Sequence, residues 1–237
     1  MFKTKRIAVF KKGELNLNIN IADHKLFIIE GLMGSGKSTF TAKFHEKLLQ
    51  NNIDSFAINE LQIRNTIFFA WDNSISTKKA ISETIKSWKV MKKNILNSNQ
   101  TAVLDAIFFQ RTAKYMISRN IPAADISKTF NIIFRKIKSL NPCLIYFREH
   151  DIEASLKRVF KSRGGPFSKF HQNWIDGINY SKQNRISGFE ATVSFWQTYL
   201  EFVEENLSIF QNKIIIDDPR KNREKHFQDI YKIFKLT

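Results

Sequence analysis

The sequence is poor in the residues that build disulfide frameworks and membrane spans. It has 237 residues, with one cysteine, four prolines and eight glycines. A lone Cys143 excludes an internal disulfide and a cysteine-based zinc cluster, and it is typical of a reducing compartment. No apolar run reaches the roughly 18 residues that a membrane helix needs, and the basic N-terminus lacks a signal-peptide core. We therefore expect a cytoplasmic protein that makes no use of a membrane.

Acidic residues are also scarce relative to basic ones. The chain has 38 Lys and Arg against 22 Asp and Glu, a net charge of +16. Such a field attracts polyanions, including nucleic acids and phosphorylated small molecules. The basic residues are scattered along the chain, however, and also serve to solubilise it. Nucleic acid is therefore one partner hypothesis among others.

Strands alternate with helices along the whole chain. No repeat, low-complexity tract or linker divides it, so we expect one domain over residues 1–237. Helical patterns follow the glycine turn after residue 30 and cover 61–71, 77–96, a stretch from 110, a stretch from 122, 151–162, 170–210 and 219–234. Such alternation predicts an α/β fold with a five-stranded, mainly parallel sheet covered by helices on both faces. The five predicted strands are Lys25–Glu30, Ile53–Ile58, Ala102–Ala106, Leu144–Phe147 and Ile214–Ile216.

The N-terminal region has a different pattern. Arg6–Phe10 and Leu15–Ile21 flank a Lys-Lys-Gly-Glu turn, and alternate residues of the second segment are apolar. A period of two predicts a β-hairpin with one buried face. We expect residues 1–23 to form a hairpin extension that either edges the sheet or mediates a homodimer.

The first predicted strand ends in a glycine-rich loop. Gly31 to Ser38 matches the P-loop pattern G-x-x-x-x-G-K-[ST]. In that pattern backbone amides surround phosphate oxygens at the positive end of the next helix, the lysine reaches the β- and γ-phosphates, and the hydroxyl ligates Mg²⁺. The sequence lacks the N-K-x-D motif that reads guanine, which favours ATP. The predicted ATP and Mg²⁺ site consists of Gly31, Gly34, Ser35, Gly36, Lys37, Ser38 and Thr39.

A carboxylate follows the third buried strand. Asp105 ends the run Val103-Leu104-Asp105, the Walker B arrangement, in which an acid orients Mg²⁺ or its water shell. A buried aspartate without a partner is costly, which favours a functional role. Asp105 and Ser38 are therefore the predicted metal ligands.

The loop resembles the opening of thymidylate kinases and deoxynucleoside kinases. Residues 29–39, Ile-Glu-Gly-Leu-Met-Gly-Ser-Gly-Lys-Ser-Thr, follow their E-G-x-x-G-[SA]-G-K-[ST] signature. The resemblance implies a three-layer P-loop NTPase fold and a kinase activity. It also implies an acid facing the acceptor at the end of strand two, where this chain has Glu60. Arg64, one helical turn later, would hold an anionic group of the acceptor.

The chain departs from that family after its third strand. The family has a D-R or E-R-S cluster there, whereas this chain has Asp105-Ala-Ile-Phe-Phe-Gln110-Arg111. Gln110 and Arg111 are therefore candidate substrate contacts, although a polar pair at a helix start is a common structural feature. The displaced arginine leaves the nucleoside specificity open.

The segment 151–170 resembles the lid of nucleotide kinases. Asp151 begins a helix that carries Arg158 and runs into Arg163-Gly164-Gly165. In such lids arginines cover the transferring phosphoryl group, because a planar guanidinium spreads its charge over phosphate oxygens. Arg158 and Arg163 are the candidate lid arginines, and the two glycines would supply a hinge.

Three functions are compatible with these motifs. The first is an ATP- and Mg²⁺-dependent phosphotransferase whose acceptor is a nucleoside, a nucleotide or another small hydroxyl compound, with Lys37, Glu60, Asp105, Arg158 and Arg163 as catalytic candidates. The second is a nucleic-acid end kinase or a nucleic-acid-binding NTPase, suggested by the charge. The third is a nucleotide-dependent switch with slow hydrolysis. The late aromatic residues, among them Trp174 and Trp196, either line the acceptor pocket or pack in the core.

Overall fold

The computed structural model describes residues 7–9, 20–60, 62 and 75–237. In this part of the chain six strands form one sheet, in the order β1-β6-β5-β2-β4-β3, and each pair of neighbours is parallel. The predicted parallel sheet is therefore confirmed, with one additional strand at its edge. The strands are β1 (Ile7–Val9), β2 (Leu26–Gly31), β3 (Ser55–Asn59), β4 (Thr101–Asp105), β5 (Cys143–Arg148) and β6 (Asn212–Asp217).

Helices connect the strands and cover both faces of the sheet. Two of them begin at side-chain caps: Ser76 accepts from the amide of Lys79 at 3.3 Å, and Asp151 from that of Ala154 at 2.9 Å. The helices are α1 (Lys37–Gln50), α2 (Thr77–Ser98), α3 (Phe109–Ser118), α4 (Ala123–Ile137), α5 (Ile152–Arg163), α6 (Gly165–Gly177), α7 (Asn179–Asn184), α8 (Gly188–Asn206) and α9 (Arg223–Ile233).

The core has two halves, one on each face of the sheet. On one face α1 and α9 pack through a cluster of phenylalanines against β2, β5 and β6. On the other face α2, α3, α4 and α8 bury Trp88, Phe108, Phe130 and Trp196 against the same sheet. Both faces of the central strands are thus apolar, which explains why β2 and β4 have no alternating pattern. The result is three layers, helix, sheet and helix.

The sheet has a switch point between β2 and β5. The chain leaves β2 toward β3 at one edge, whereas it leaves β5 toward β6 on the other side. In open α/β sheets, ligands bind at the carboxyl ends of the strands where the connections diverge. The glycine-rich loop follows β2 and helix α5 follows β5, so both lie at this point.

The N-terminal prediction was partly wrong. Ile7–Val9 does form a strand at the sheet edge, and it pairs in parallel with β6 through Ile7 and Lys213. Ile21, which the alternation assigned to the returning strand, lies instead in a 3-10 turn, Ile21–Asp23, capped by Asn20. Residues 15–19 of the proposed returning strand lie outside the described residues, as does the helix predicted for 61–71 except for Gln62.

None of the helices among the described residues is long and apolar enough to cross a membrane.

Candidate functional site

The loop between β2 and α1 is shaped by two glycines with positive φ. Gly34 has φ 76°, and a Cβ there would lie 2.1 Å from Cγ2 of Val159 on α5, so only glycine lets the helix pack on the loop. Gly36 has φ 101°, and a Cβ there would project into open space. Gly36 directly precedes the first turn of α1, and the first amides of a helix have no partner within the helix. Such amides are typical of anion-binding sites.

Lys37 is held at the base of this loop. Its Nζ donates to the carbonyls of Gly31 and Leu32, at 2.9 and 2.8 Å, and its side chain is buried. Burial lowers the pKa of Lys37, while the charges of Asp105 and Glu30 pull that pKa back up. An ammonium group has three N–H donors, so after these two hydrogen bonds Lys37, which lines the cleft, has one donor left for an anion.

Asp105 ends β4 beside the first turn of α1. Burial raises the pKa of its carboxyl group, even though the charge of Lys37 and the nearby Ser38 hydroxyl both lower that pKa. The side chain is buried, yet Oδ1 has no hydrogen-bond partner. The next residue, Ala106, adopts φ 59°, a conformation that costs a non-glycine residue free energy. A buried carboxylate oxygen without a hydrogen-bond partner, next to a residue with a strained backbone conformation, is typical of a ligand site.

Glu30, which sequence reasoning noted only as part of the loop signature, organises helix α3. It is fully buried, and its Oε1 and Oε2 accept from the amides of Phe109 and Gln110, at 2.8 and 3.3 Å. No side chain of α3 itself caps the helix start. Burial raises the pKa of Glu30 to about 8. Glu30 is therefore a cap supplied from the neighbouring strand.

The helix positioned in this way brings two polar side chains to Glu60. Gln110 donates Nε2 to Oε2 of Glu60 at 2.8 Å, and Lys114 donates Nζ to Oε1 at 3.0 Å. Burial alone would raise the pKa of Glu60, but Lys114, Arg111 and Lys37 outweigh it, and the pKa falls below its usual value. Glu60 is thus an ionised carboxylate within reach of the cleft. Lys114 had no signal in the sequence, because its partner is distant along the chain.

The arginines predicted for the site separate into different surroundings. Arg163 lines the cleft, with its guanidinium over the Phe167 ring at 4.7 Å. Arg158 does not: it contacts Ser155 and pairs with Glu149 at 3.5 Å. The two arginines are five positions apart, a rotation of about 140° at 3.6 residues per turn, so their side chains leave α5 on different sides. The prediction of Arg158 as a lid residue is corrected accordingly.

Arg111, another predicted contact, is not part of the cleft wall. Arg111 is buried beside Tyr115, with its guanidinium 5.6 Å from the ring centre and its Nε without a hydrogen-bond partner. Its charge still acts on Glu60. Arg64 lies outside the described residues.

The site residues line one cleft of about 680 Å³. The loop end of the cleft consists of Gly34 to Thr39 together with Asp105. Glu60, Gln110 and Lys114 line the same cleft, and Glu60 follows Asn59, which is the sheet partner of Asp105. Part of the wall is aromatic. It includes Tyr115, Phe167, Phe170, His171, Trp174 and Trp196, so the late aromatic residues both pack in the core and line the pocket.

His171 is the polar group within this aromatic wall. Trp196 donates its Nε1 hydrogen to Nε2 of His171 at 3.4 Å, which leaves the proton of a neutral ring on Nδ1. Burial, with Lys114 and Arg163 nearby, lowers the pKa of His171 to about 4. The ring is therefore neutral at physiological pH.

Two further arginines border the loop from the segment after β6. Arg220 donates Nε and Nη2 to the carbonyl of Gly34, at 3.0 and 2.6 Å, and Arg223 begins α9 and lines the cleft. Their position is decided by the placement of β6 beside β5, which the local sequence does not encode. Both add positive charge to the loop end of the cleft.

Comparison with known proteins gives a fold and no function. No family model matches the sequence, and no curated protein matches it. Among solved structures the chain is similar to the crystal structure of APE1195, with a TM-score of 0.51 and 14% sequence identity. The match covers 92% of this chain and 98% of that one. At such an identity the likeness shows the fold alone.

Proposed function

We propose that this protein is an ATP- and Mg²⁺-dependent phosphotransferase that acts on a small hydroxyl-bearing acceptor. One observation carries the proposal: Lys37, Ser38 and the unpaired Oδ1 of Asp105 converge at the glycine-rich loop, and the same cleft continues to an ionised Glu60. Phosphoryl transfer requires that one cavity hold both the phosphoryl donor and the acceptor hydroxyl.

The three-layer architecture supports a P-loop NTPase fold. The glycine-rich loop follows β2, inside the sheet, and enters α1 at the switch point of the sheet. This placement is the one in which helix amides and dipole stabilise a phosphate. The loop sequence, with Lys37 in the first turn of α1, agrees with it.

The residues present fit a magnesium nucleotide. The backbone amides of the loop, with Lys37, would hold the phosphates, and the open space at Gly36 leaves room for them. Ser38 and Asp105 would hold Mg²⁺. The described residues contain no group of three or more His, Cys, Asp or Glu side chains suited to a metal. This agrees with a hard cation that takes few protein ligands and completes its shell with phosphate oxygens and water.

Glu60 would orient the acceptor hydroxyl rather than deprotonate it beforehand. Its lowered pKa makes it a weak base, and Lys114 and Gln110 hold it in place. Transfer of a phosphoryl group through a loose transition state needs alignment more than a strong base. Arg163, at the cleft wall, would spread positive charge over the group in transit.

The test is transfer of label from γ-labelled ATP to pools of nucleosides, nucleoside monophosphates, aminoglycoside-type alcohols and 5′-hydroxyl oligonucleotides. Lys37→Met keeps most of the volume of the buried side chain and removes its charge. Lys43→Met is the matched control, since Lys43 lies on the same helix but is exposed and pairs with Glu224.

We expect label in one pool with the wild type and with Lys43→Met, and a loss of at least about 100-fold with Lys37→Met. Label in the oligonucleotide pool alone would favour the end kinase. Binding of ATP without transfer to any pool contradicts the proposal and favours the switch.

A further inference from the structure

The basic residues that are scattered in the sequence gather on one surface of the fold. Helices α2 and α4 pack against each other, and residues 77–98 and 123–138 together carry ten basic residues against Glu83 and Asp125. Half of the net charge of +16 therefore lies on two neighbouring helices. We call their exposed cations the α2–α4 face: Lys78, Lys79, Lys86, Lys89, Lys93, Lys128, Arg135, Lys136 and the adjoining Lys138.

These cations are regularly spaced and mostly unpaired by acids. Lys79, Lys86 and Lys93 recur every seven residues, which aligns them along one side of α2 over about 21 Å at 1.5 Å per residue. Among the described residues, Lys86 is the one lysine of α2 in an ion pair, with Glu83 at 2.6 Å. A row of exposed lysines on one side of a helix, in which Lys86 alone is in an ion pair, is a surface for an extended polyanion.

Compensation by acids differs along this face. Glu201 and Glu205 of α8 line one surface cavity together with Ala123 and Ile126, at the start of α4. The lysines of α2 have only Glu83 as an acidic residue on their own helix. The uncompensated part of the face is therefore mainly on α2.

We propose that the α2–α4 face binds the phosphate backbone of a nucleic-acid duplex without reading its sequence. All its cations except Arg135 are lysines, compact charges that neutralise phosphates without the forked geometry that reads bases. The aromatic residues of the two helices are buried or half-buried, for example Trp88 and Phe134, so no ring is free to stack unpaired bases. The surface suits a duplex rather than a single strand.

An acidic membrane is the other large polyanion. A helix that lies in a membrane interface must insert an apolar face, usually with aromatic residues. The apolar face of α2 is already buried in the core through Trp88, Met91 and Ile95. Only Val90 and Leu96 are exposed large apolar residues on this helix, which is too little to anchor it.

The face is independent of the proposed catalytic cleft. No residue of α2 or α4 lines that cleft. Duplex binding therefore does not rest on the kinase activity, and the two proposals can fail separately.

The experiment measures binding of a fluorescent DNA duplex of about 20 base pairs, and of the matching RNA duplex, as a function of salt between about 50 and 200 mM. The test variant is Lys86→Gln/Lys89→Gln/Lys93→Gln. The control is Lys225→Gln/Lys232→Gln/Lys235→Gln, which removes the same charge from exposed positions at or near α9 in the opposite helical layer. Lys37→Met, single strands of the same length and vesicles of anionic lipid complete the set.

We expect salt-dependent binding to both duplexes, retained by Lys37→Met. The α2 variant should reduce the steepness of log K against log salt by about 2.7 and weaken binding on the order of 100-fold at physiological salt. The α9 variant should change the affinity by less than about threefold. Equal losses in both triple variants would show that bulk charge alone is responsible. Absence of duplex binding, equally tight binding of single strands, or binding to vesicles but not duplexes would each overturn the proposal.

Discussion

Two buried carboxyl groups account for much of the free-energy cost of forming the proposed site. Burial raises the pKa of both Asp105 and Glu30, which means that it favours the neutral form of each carboxyl group. Desolvation of an ionised carboxylate costs several kcal/mol unless hydrogen bonds or a cation compensate it. A protein retains such groups where a ligand or a neighbouring element needs them, and each then gives a test of its role.

Asp105→Asn should separate stability from ligand binding. The raised pKa means that the folded protein is destabilised by the charge of Asp105 at neutral pH, so the neutral asparagine should leave the melting temperature of the ligand-free protein equal or higher. MgATP stabilises the wild type by mass action, by about 2.7 kcal/mol at 100 times its Kd. The variant should lose most of this increment, and thermal melts with and without MgATP measure both effects.

A matched control for that test is Asp125→Asn, an exposed residue of α4 far from the loop along the chain. It should leave the effect of MgATP unchanged, and its own effect on stability is limited to the loss of an acid from the first turn of α4, about 0.3–1 kcal/mol. If Asp105→Asn behaves like the control, Asp105 does not hold the metal.

Glu30 should make stability decrease as pH rises. Its pKa of about 8 in the folded state exceeds its ordinary value of 4.5, so between these pH values the folded state holds a proton that the unfolded state has lost. The free energy of unfolding should then fall with increasing pH by up to about 1.4 kcal/mol per unit. Glu30→Gln should flatten this part of the profile, as measured by urea unfolding from pH 5 to 9.

The difference between the pH profiles of the wild type and Glu30→Gln isolates the titration of Glu30 from that of other groups. Glu46→Gln, on the exposed side of α1, is the control and should retain the wild-type slope. A parallel shift of the Glu30→Gln profile, without a change of slope, would contradict the raised pKa.

At the scale of elements, the junction of α5 and α6 is the proposed hinge of the lid. Gly164 ends one helix and precedes the other with φ 84° and ψ 174°, a region that is essentially restricted to glycine. Gly165 begins α6 without a positive φ, and a Cβ there meets nothing within 4 Å. Two adjacent glycines therefore have different constraints, which makes them a natural pair of variants.

Gly164→Ala should destabilise the protein by about 1–3 kcal/mol because alanine cannot adopt that conformation without strain. Gly165→Ala should be neutral or stabilising by up to about 1 kcal/mol, since alanine favours the helix and restricts the unfolded chain. Urea unfolding of both variants checks the difference. Equal effects would show that Gly164 does not impose the turn.

For the whole molecule, the net charge should control how fast an anionic nucleotide arrives. The loop end of the cleft has Lys37, Arg163, Arg220 and Arg223, within a protein of net charge +16. Long-range attraction speeds encounter and is screened by salt, whereas contacts at short range are screened less. Steering therefore belongs to the field of the entire protein.

We expect the association rate of a fluorescent ATP analogue to fall about tenfold between low salt and about 0.2 M salt, with little change in its dissociation rate. Stopped-flow fluorescence measures both rates on one sample, so the dissociation rate is the internal control. An uncharged adenosine analogue should associate independently of salt. Salt dependence confined to dissociation would contradict steering.

The sequence alone was enough to predict five of the six parallel strands and most of the helices around them. A strand that is buried on both faces is visible in the sequence as a nearly continuous apolar run, such as Ala102–Ala106. It can therefore be recognised without knowledge of its neighbouring strands. The glycine-rich loop was equally visible, since its backbone angles require particular residues at fixed spacing. The activity, the nucleotide and the metal remain predictions from that motif.

Only the tertiary structure decided which side chains meet. Glu30 caps α3 across 79 residues of sequence, Lys114 pairs with Glu60 across 54, and Arg220 reaches Gly34 across 186. The tertiary structure also shows that Arg158 does not line the cleft and that lysines scattered along the sequence lie on the neighbouring helices α2 and α4. Local patterns specify elements because backbone preferences are local, whereas charge pairs and pockets depend on the packing of distant elements, which no short stretch of sequence contains.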